Sequence, residues 1–369
     1  MRLARRLAWF LPLGLAVIGV NYRVDPGHLF GRGDVEGRIA EELLAGRSVV
    51  AGFRLDELRL RQRLAEGRRH GPDVLVLGSS RAMPIAGDAF PGREVANASV
   101  SSASLEDVIA LLELYERQGL RPGLLFLPIE PWALNGSLRN PSAALEPELR
   151  AGLRRLGRRS ASDGGSLSAA VGVRSPWLQL VSPAYFQASL ASLLARRGRA
   201  GGPEGEGRGG GPGESAAAAH RFDPDGSVEW EPAMAERPAV EVEALARASV
   251  ARAPRYLQPP PVRDRLLLLR AFVDDAARRG MRVVLWLPPF HPLAFAAFSA
   301  DRRERALSEG ESAMRTLAAA ARVPLLGSYD PAKCRVTAED FVDYNHLRRP
   351  AANALVARLM AESEADGGR

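Results

Sequence analysis

The stretch from Asp73 to Pro84, DVLVLGSSRAMP, constrains this chain more than any other. Val74 to Gly78 form a short apolar run that stops abruptly at Gly78-Ser79-Ser80. A run this short, rich in Val and Leu and closed by glycine, predicts a buried strand of a parallel sheet. Open α/β sheets bind their ligands at the carboxyl ends of such strands. A serine at that point is held on a tight turn with its hydroxyl toward the cleft, and the small residues beside it leave backbone N–H groups to face an anion. Alone, the pattern equally describes a strand followed by a helix-capping serine.

What gives Ser80 chemical meaning stands near the other end of the chain. Asp343-Tyr344-Asn345-His346 is followed by Leu-Arg-Arg-Pro and a helical run to about Met360. A serine nucleophile needs a base within hydrogen-bond reach, and the base needs a carboxylate to fix its tautomer. An Asp three residues before a His delivers both from one loop. The chain has five histidines, so the pairing is not drowned by abundance. His291, in Pro288-Pro289-Phe290-His291-Pro292, is a second candidate: a base or a substrate contact, or a structural histidine stiffened by its prolines.

Together the two stretches resemble the SGNH (GDSL-like) hydrolase superfamily. Gly78-Ser79-Ser80-Arg81 stands where that family has Gly-Asp-Ser-Leu, which puts the nucleophile on Ser80 rather than Ser79. Asp343 and His346 match its D-x-x-H motif. The G-S-S block and the N-terminal segment are similar to those of membrane-anchored bacterial members, such as the D-alanyl transfer protein of teichoic acid synthesis and alginate O-acetylation proteins. The resemblance implies a three-layer α/β/α parallel sheet (a flavodoxin-like SGNH fold) with an N-terminal membrane helix. It also implies a serine esterase or acyltransferase that uses Ser80, His346 and Asp343, with no metal and no organic cofactor. Its partners would be an acyl donor, an envelope or extracellular polysaccharide acceptor and a membrane-bound acyltransferase. Ser79, Arg81, Asn97, Ser102, Glu130 and His291 are the candidate oxyanion or substrate residues. Two of them depart from the family: Ser102 stands where a glycine N–H usually enters the oxyanion hole, and Glu130 where an asparagine donates. An ionised Glu130 cannot donate. Three readings follow: an envelope acyltransferase or esterase acting on polysaccharide or cell-wall polymer, a catalytically silent SGNH-like protein of exopolysaccharide assembly, which the two departures favour, and a plain membrane-attached lipase-like esterase.

Composition narrows the classes further. With 46% hydrophobic residues in 369 the chain can bury a sizeable core. The formal charge of +7 is modest and lacks interleaved aromatics, which argues against nucleic acid as a partner but suits anionic surfaces. Cys334 is the only cysteine, so neither an intramolecular disulfide nor a cysteine-based metal site can form. The glycines of the middle region follow no strand, and no phosphate-binding fingerprint is present.

At the N-terminus Arg2, Arg5 and Arg6 precede an apolar run from Leu7 to Val20, the pattern of a signal peptide or signal anchor. We expect an uncleaved anchor over residues 1–22, a single inner-membrane span that leaves the body on the periplasmic side. Residues 23–70 predict a membrane-proximal segment, with an amphipathic helical stretch from Val35 to about Gly67. The core is expected in residues 71–135 and 262–362. Its strands are Val74 to Gly78, Glu94 to Ala98, Leu124 to Ile129, Arg282 to Leu287 and Val323 to Leu326. Its helices are Ser104 to Gln118, with Ser104 as cap, Val262 to Arg279, and Asp301 to Ala321. Alternation of this kind argues for a parallel sheet covered on both faces. Residues 136–261 read as an insertion over part of the cleft, with apolar helical pieces such as Trp177 to Ala195, a turn at Asp223-Pro-Asp-Gly226 and a disordered loop from Gly198 to Gly213. Residues 363–369 read as a disordered tail.

Overall fold

The computed structural model describes residues 11–24, 34–52, 55–135, 145–158, 180–181, 186–187, 189, 219–251, 261–300 and 304–367. The loop expected at 198–213 and most of the stretch 177–195 lie outside the described residues. The chain divides into two compact units, one of residues 1–35 and 161–218, the other of residues 36–160 and 219–369.

In the first unit the described element is helix α1, Leu11–Val24. The Asn21 side chain donates to Leu180 O at 2.9 Å and accepts from Ser189 Oγ at 3.0 Å. Among the described residues no helix is long and apolar enough to cross a membrane, and α1 has 14 residues. Residues 1–10, half of the expected anchor, lie outside the described residues.

The second unit begins with helix α2 (Val35–Leu44), strand β1 (Val49–Gly52) and helix α3 (Glu57–Gly67). The single helical stretch expected here is therefore two helices split by a strand. Gly46 turns the chain at φ +81°, and the β-branched pair Val49-Val50 then extends to pair with a distant strand. Next come β2 (Val74–Val76), β3 (Val95–Asn97), α4 (Leu105–Arg117), β4 (Leu124–Pro128), α5 (Pro131–Asn135) and α6 (Glu146–Arg155). A hairpin, β5 (Ala219–Phe222) and β6 (Val228–Glu229), leads into α7 (Pro232–Ala235) and α8 (Ala239–Ala251). The chain closes with α9 (Arg263–Arg278), β7 (Arg282–Leu287), α10 (Pro292–Ser299), α11 (Glu304–Ala321), β8 (Leu325–Gly327) and α12 (Arg349–Gly367). The tail expected at 363–369 is helical to Gly367. Glu362 pairs with Arg358 one turn earlier, and Glu364 pairs with Arg93 and Arg282, which carries the helix past Met360.

Five strands form one parallel sheet in the order β3-β2-β4-β7-β8. Counted along the chain this is the doubly wound order 2-1-3-4-5, whose switch point lies beside the first strand, β2. Helices cover both faces, as the apolar runs require. Leu75, Leu77, Leu125, Leu127, Val283 and Leu285 enter one buried cluster with residues of α4, α6, α9 and α11. Val74, Val76, Leu124, Phe126, Val284 and Trp286 enter another, with Leu355, Val356 and Met360 of α12. Helix α4 starts where expected: Ser104 caps it in a reciprocal capping box with Asp107.

The hairpin adds what the sequence did not suggest, a second, antiparallel sheet of order β1-β5-β6. Its turn falls at the expected Asp223–Gly226. Gly226 N–H donates to Asp223 O at 2.7 Å, and Gly226 sits at φ +84°, a conformation that glycine alone adopts without strain. Of the expected insertion, residues 219–251 thus fold with the core. Val228 N–H donates to Met83 O at 2.8 Å, and Asn97 N–H to Asp225 O at 2.7 Å.

Cys334 is fully buried in the α12-side cluster, and burial pushes its thiol pKa up to about 11. Since the thiolate is the reactive form, Cys334 should resist a thiol reagent at neutral pH in the folded protein and react once urea unfolds it. Rapid stoichiometric modification of native protein would contradict this packing.

Candidate active site

The apolar pressure that buries β2 on both faces ends at Gly78. A Cβ added there would lie 3.1 Å from Pro128 Cγ and 3.2 Å from the Ala82 side chain, so any larger residue would push these neighbours aside by a few tenths of an ångström. Ala82 N–H donates to Ser79 O at 2.9 Å and Met83 N–H to Ser80 O at 3.3 Å, which folds residues 79–83 back at the mouth of the switch point. Ser80 is partly exposed, whereas Ser79 is buried.

The structure brings Asp343 and His346 to this turn. His346 Nε2 lies 2.8 Å from Ser80 Oγ, and His346 Nδ1 lies 2.8 Å from Asp343 Oδ2. The other carboxylate oxygen, Oδ1, accepts from the N–H groups of Asn345 at 2.9 Å and His346 at 2.8 Å. Asp343 is thus locked to the backbone that carries the imidazole, and the N–H borne on Nδ1 leaves Nε2 to accept from Ser80. Burial acts to raise the Asp343 pKa. His346 and the two backbone donors outweigh it and hold the carboxyl below its ordinary value.

Around this core the other candidates separate. Ser79 Oγ donates to Glu130, which is buried at the end of β4. Burial raises the Glu130 pKa, against the opposing pull of Ser79 and Arg81. Glu130 therefore anchors the turn from below. Asn97 is consumed in the same way: its amide nitrogen donates to Ala82 O at 2.8 Å, Met83 O at 3.2 Å and Ile85 O at 2.8 Å. Its carbonyl accepts from Ser99 N–H at 2.9 Å. Arg81 is buried and reaches backbone carbonyls of residues 288, 289 and 345. His291 is fully buried and caps α10, accepting from Leu293 N–H at 3.2 Å, while burial lowers its pKa. It packs edge-on against Phe341 with ring centroids 5.4 Å apart, behind the loop that carries His346.

Ser102 is exposed at φ +54°, in a loop that runs alongside the nucleophile turn: Val100 N–H donates to Gly78 O at 3.0 Å. Among the described residues no group accepts a hydrogen bond from the N–H of Ser80 or of Ser102. Both N–H groups are thus uncommitted among the described residues. The Glu130 and Asn97 side chains, by contrast, are buried and committed to Ser79 and to backbone carbonyls.

Two residues of the site escaped the sequence reading. Trp230, at the end of the hairpin, lies edge-on to His346 with centroids 5.5 Å apart, and His220 lies 5.2 Å from Trp230. The Asp223–Gly226 turn was expected, but nothing local indicated that it joins two strands or that the hairpin brings Trp230 against the imidazole. Burial lowers the His220 pKa. A separate cavity of about 470 Å³, lined by residues that include Phe295, Glu311, Arg315 and Lys333, contains none of the triad. Among the described residues no group of three His, Cys, Asp or Glu side chains is placed to hold a metal ion.

Comparison with protein families, with curated proteins and with solved structures gives no significant match. The site therefore has to be interpreted from its geometry.

Two outcomes check this geometry. Ala82 O and Met83 O keep backbone donors, but Asn97→Ala strips the donor from Ile85 O and the acceptor from Ser99 N–H, buried groups each worth roughly 1–3 kcal/mol when left unsatisfied. A loss of at least about 2 kcal/mol in urea denaturation is expected, and an unchanged midpoint would contradict it. For Asp343, a lowered folded pKa contributes stability that is present above the ordinary value of 3.8 and is lost as pH falls through the lower folded value. The destabilisation caused by Asp343→Asn should therefore be full at neutral pH and shrink in acid. A penalty that grows in acid would overturn the assignment.

Proposed function

We propose that this protein is an SGNH-like serine esterase or acyltransferase that acts on acyl esters of an envelope or extracellular polysaccharide. The observation that carries the proposal is the continuous chain Ser80 Oγ–His346–Asp343, with both contacts at 2.8 Å. Two further features support it: the doubly wound strand order with Ser80 at its switch point, and the residues of the G-S-S and D-x-x-H blocks.

In the proposed reaction Ser80 Oγ attacks the ester carbonyl and its proton passes to His346 Nε2. Asp343 Oδ2 stabilises the imidazolium through Nδ1–H. The carbonyl oxygen becomes an oxyanion that receives the N–H of Ser80 and of Ser102, and such a donor is worth about 3 kcal/mol. Collapse breaks the C–O bond and His346 returns its proton to the leaving alcohol, which leaves an acyl-Ser80. A water or a glycan hydroxyl then attacks, gives its proton to His346, and releases Ser80 as the acyl group departs. The chain's own side chains complete this cycle. We place the body on the periplasmic side of a bacterial inner membrane, behind the anchor suggested by Arg2, Arg5, Arg6 and the run to Val20.

A catalytically silent relative is the second reading. It is favoured by the burial of Glu130, which leaves the oxyanion site without a side-chain donor. A fluorophosphonate probe separates the two. Wild type should label covalently, Ser80→Ala should not label at all, and Ser79→Ala should still label. Asp343→Asn should slow labelling by about 10⁴-fold without unfolding. Absence of labelling in folded wild type would support the silent reading, and labelling that survives Ser80→Ala would remove Ser80 from the mechanism. With an activated acetyl ester, prompt acetate release would mark an esterase, whereas an acyl-enzyme that persists until a glycan hydroxyl is supplied would mark a transferase.

A further inference from the structure

The residue after the nucleophile carries a second connection between the two halves of the site. Arg81 is 2% exposed, and its guanidinium carbon lies 4.4 Å from the Phe290 ring centroid. Its Nε donates to Asn345 O at 2.9 Å, and its Nη2 donates to Pro288 O at 2.9 Å and Pro289 O at 2.5 Å. A buried cation is tolerated here because carbonyl dipoles from two loops surround it and an aromatic face covers it.

The loop that carries the base is held at three successive carbonyls. Tyr344 O accepts from His291 N–H at 3.0 Å, Asn345 O from Arg81 Nε at 2.9 Å, and His346 O from Val342 N–H at 2.9 Å. Of these donors, only Arg81 belongs to the nucleophile turn. Neighbouring residues are thus joined in pairs across the cleft, Ser80 to His346 and Arg81 to Asn345. The first of these bonds cannot survive the reaction: once Ser80 Oγ is acylated it has no proton to donate. The second involves no reacting atom.

We propose that Arg81 is a positioning residue that keeps His346 in register with Ser80 while the serine is acylated, so that deacylation depends on it more than acylation does. This inference rests on the reading of Ser80, His346 and Asp343 as a catalytic triad. In acylation the Ser80–His346 hydrogen bond itself aligns the base. In deacylation the imidazole has to accept a proton from water or from a glycan hydroxyl with that bond gone, and the link from Arg81 to Asn345 O is what still ties its loop to the turn. Lysine keeps the charge but cannot fork to carbonyls of two loops at once.

The test is burst kinetics of the full chain with p-nitrophenyl acetate, for wild type, Arg81→Lys and Arg81→Gln. The burst rate gives acylation, the linear phase gives deacylation, and the burst amplitude counts competent molecules. With the loop misplaced by about an ångström, deacylation should fall by roughly 100-fold, while acylation falls by roughly tenfold or less. Arg81→Lys should recover part of the deacylation rate lost in Arg81→Gln. Equal losses in both steps, or none, would overturn the proposal. Failure of both variants to fold would also overturn it, since Arg81 would then belong to core stability.

A second readout separates this inference from the functional reading. The NMR resonance of the His346 Nδ1 proton, shared with Asp343, should broaden in folded Arg81→Lys. If wild type forms no acyl-enzyme, the catalytic reading fails and the deacylation claim falls with it, and a broadened resonance then shows only that Arg81 fixes the His346 loop. If wild type turns over and neither the resonance nor the ratio of the two rates changes, the positioning role fails alone.

Discussion

With β3 paired on one side of β2 and β4 on the other, the chain leaving β2 emerges into a crevice that no crossover closes. This placement follows from burial on both faces. Val74 and Val76 pack into one cluster and Leu75 and Leu77 into the other, which fixes the strand in the middle layer between two helical layers. Gly78 then permits a turn that a Cβ would crowd against Pro128 and Ala82, and Ser80 is delivered to the rim. The loop from Asp343 to His346, which follows the last parallel strand, arrives at the same rim because carboxyl ends of parallel strands share one edge.

Polar groups beneath the turn divide the labour between building and chemistry. Asn97 closes residues 82–85 from one side, Glu130 takes the Ser79 hydroxyl from below, and Arg81 gathers carbonyls of the loops after β7 and before α12. Each is buried and each is spent on backbone or on a neighbouring hydroxyl. What remains is a partly exposed Ser80 bonded to His346, with the N–H groups of Ser80 and Ser102 left without an acceptor among the described residues. A serine with one neighbour committed to a buried carboxyl and another to the opposite loop has little freedom to rotate away from its base. Preorganisation of this sort is what acyl transfer requires.

The core strands were legible because burial on both faces writes itself as continuous apolar runs, and the pairing of Ser80 with Asp343 and His346 because each lies in a compact local motif. Ser104 was legible as a cap because its partner Asp107 is three residues away. Strand β1 was not, since Val49 pairs with Phe222 far along the chain and the flanking Leu and Val residues happened to keep a helical spacing. The same distance hid Trp230 and His220. Asn97, Glu130 and Arg81 stood out as site candidates, but their roles were misjudged as facing substrate. A side chain that binds backbone carbonyls of remote loops leaves no periodicity and no spacing to read. The extension of α12 to Gly367 went unseen for a related reason, because its last turns are polar and are held by ion pairs with Arg93 and Arg282.

The central claim is that Ser80 is a nucleophile aimed at an oxyanion site made of backbone. A crystal structure of the protein after reaction with a phosphonate ester tests it most directly. The account predicts phosphorus bonded to Ser80 Oγ, a phosphoryl oxygen within hydrogen-bond reach of the Ser80 and Ser102 N–H groups, and His346 still paired with Asp343. Phosphorus on Ser79, or on no serine in protein that remains folded, would contradict it.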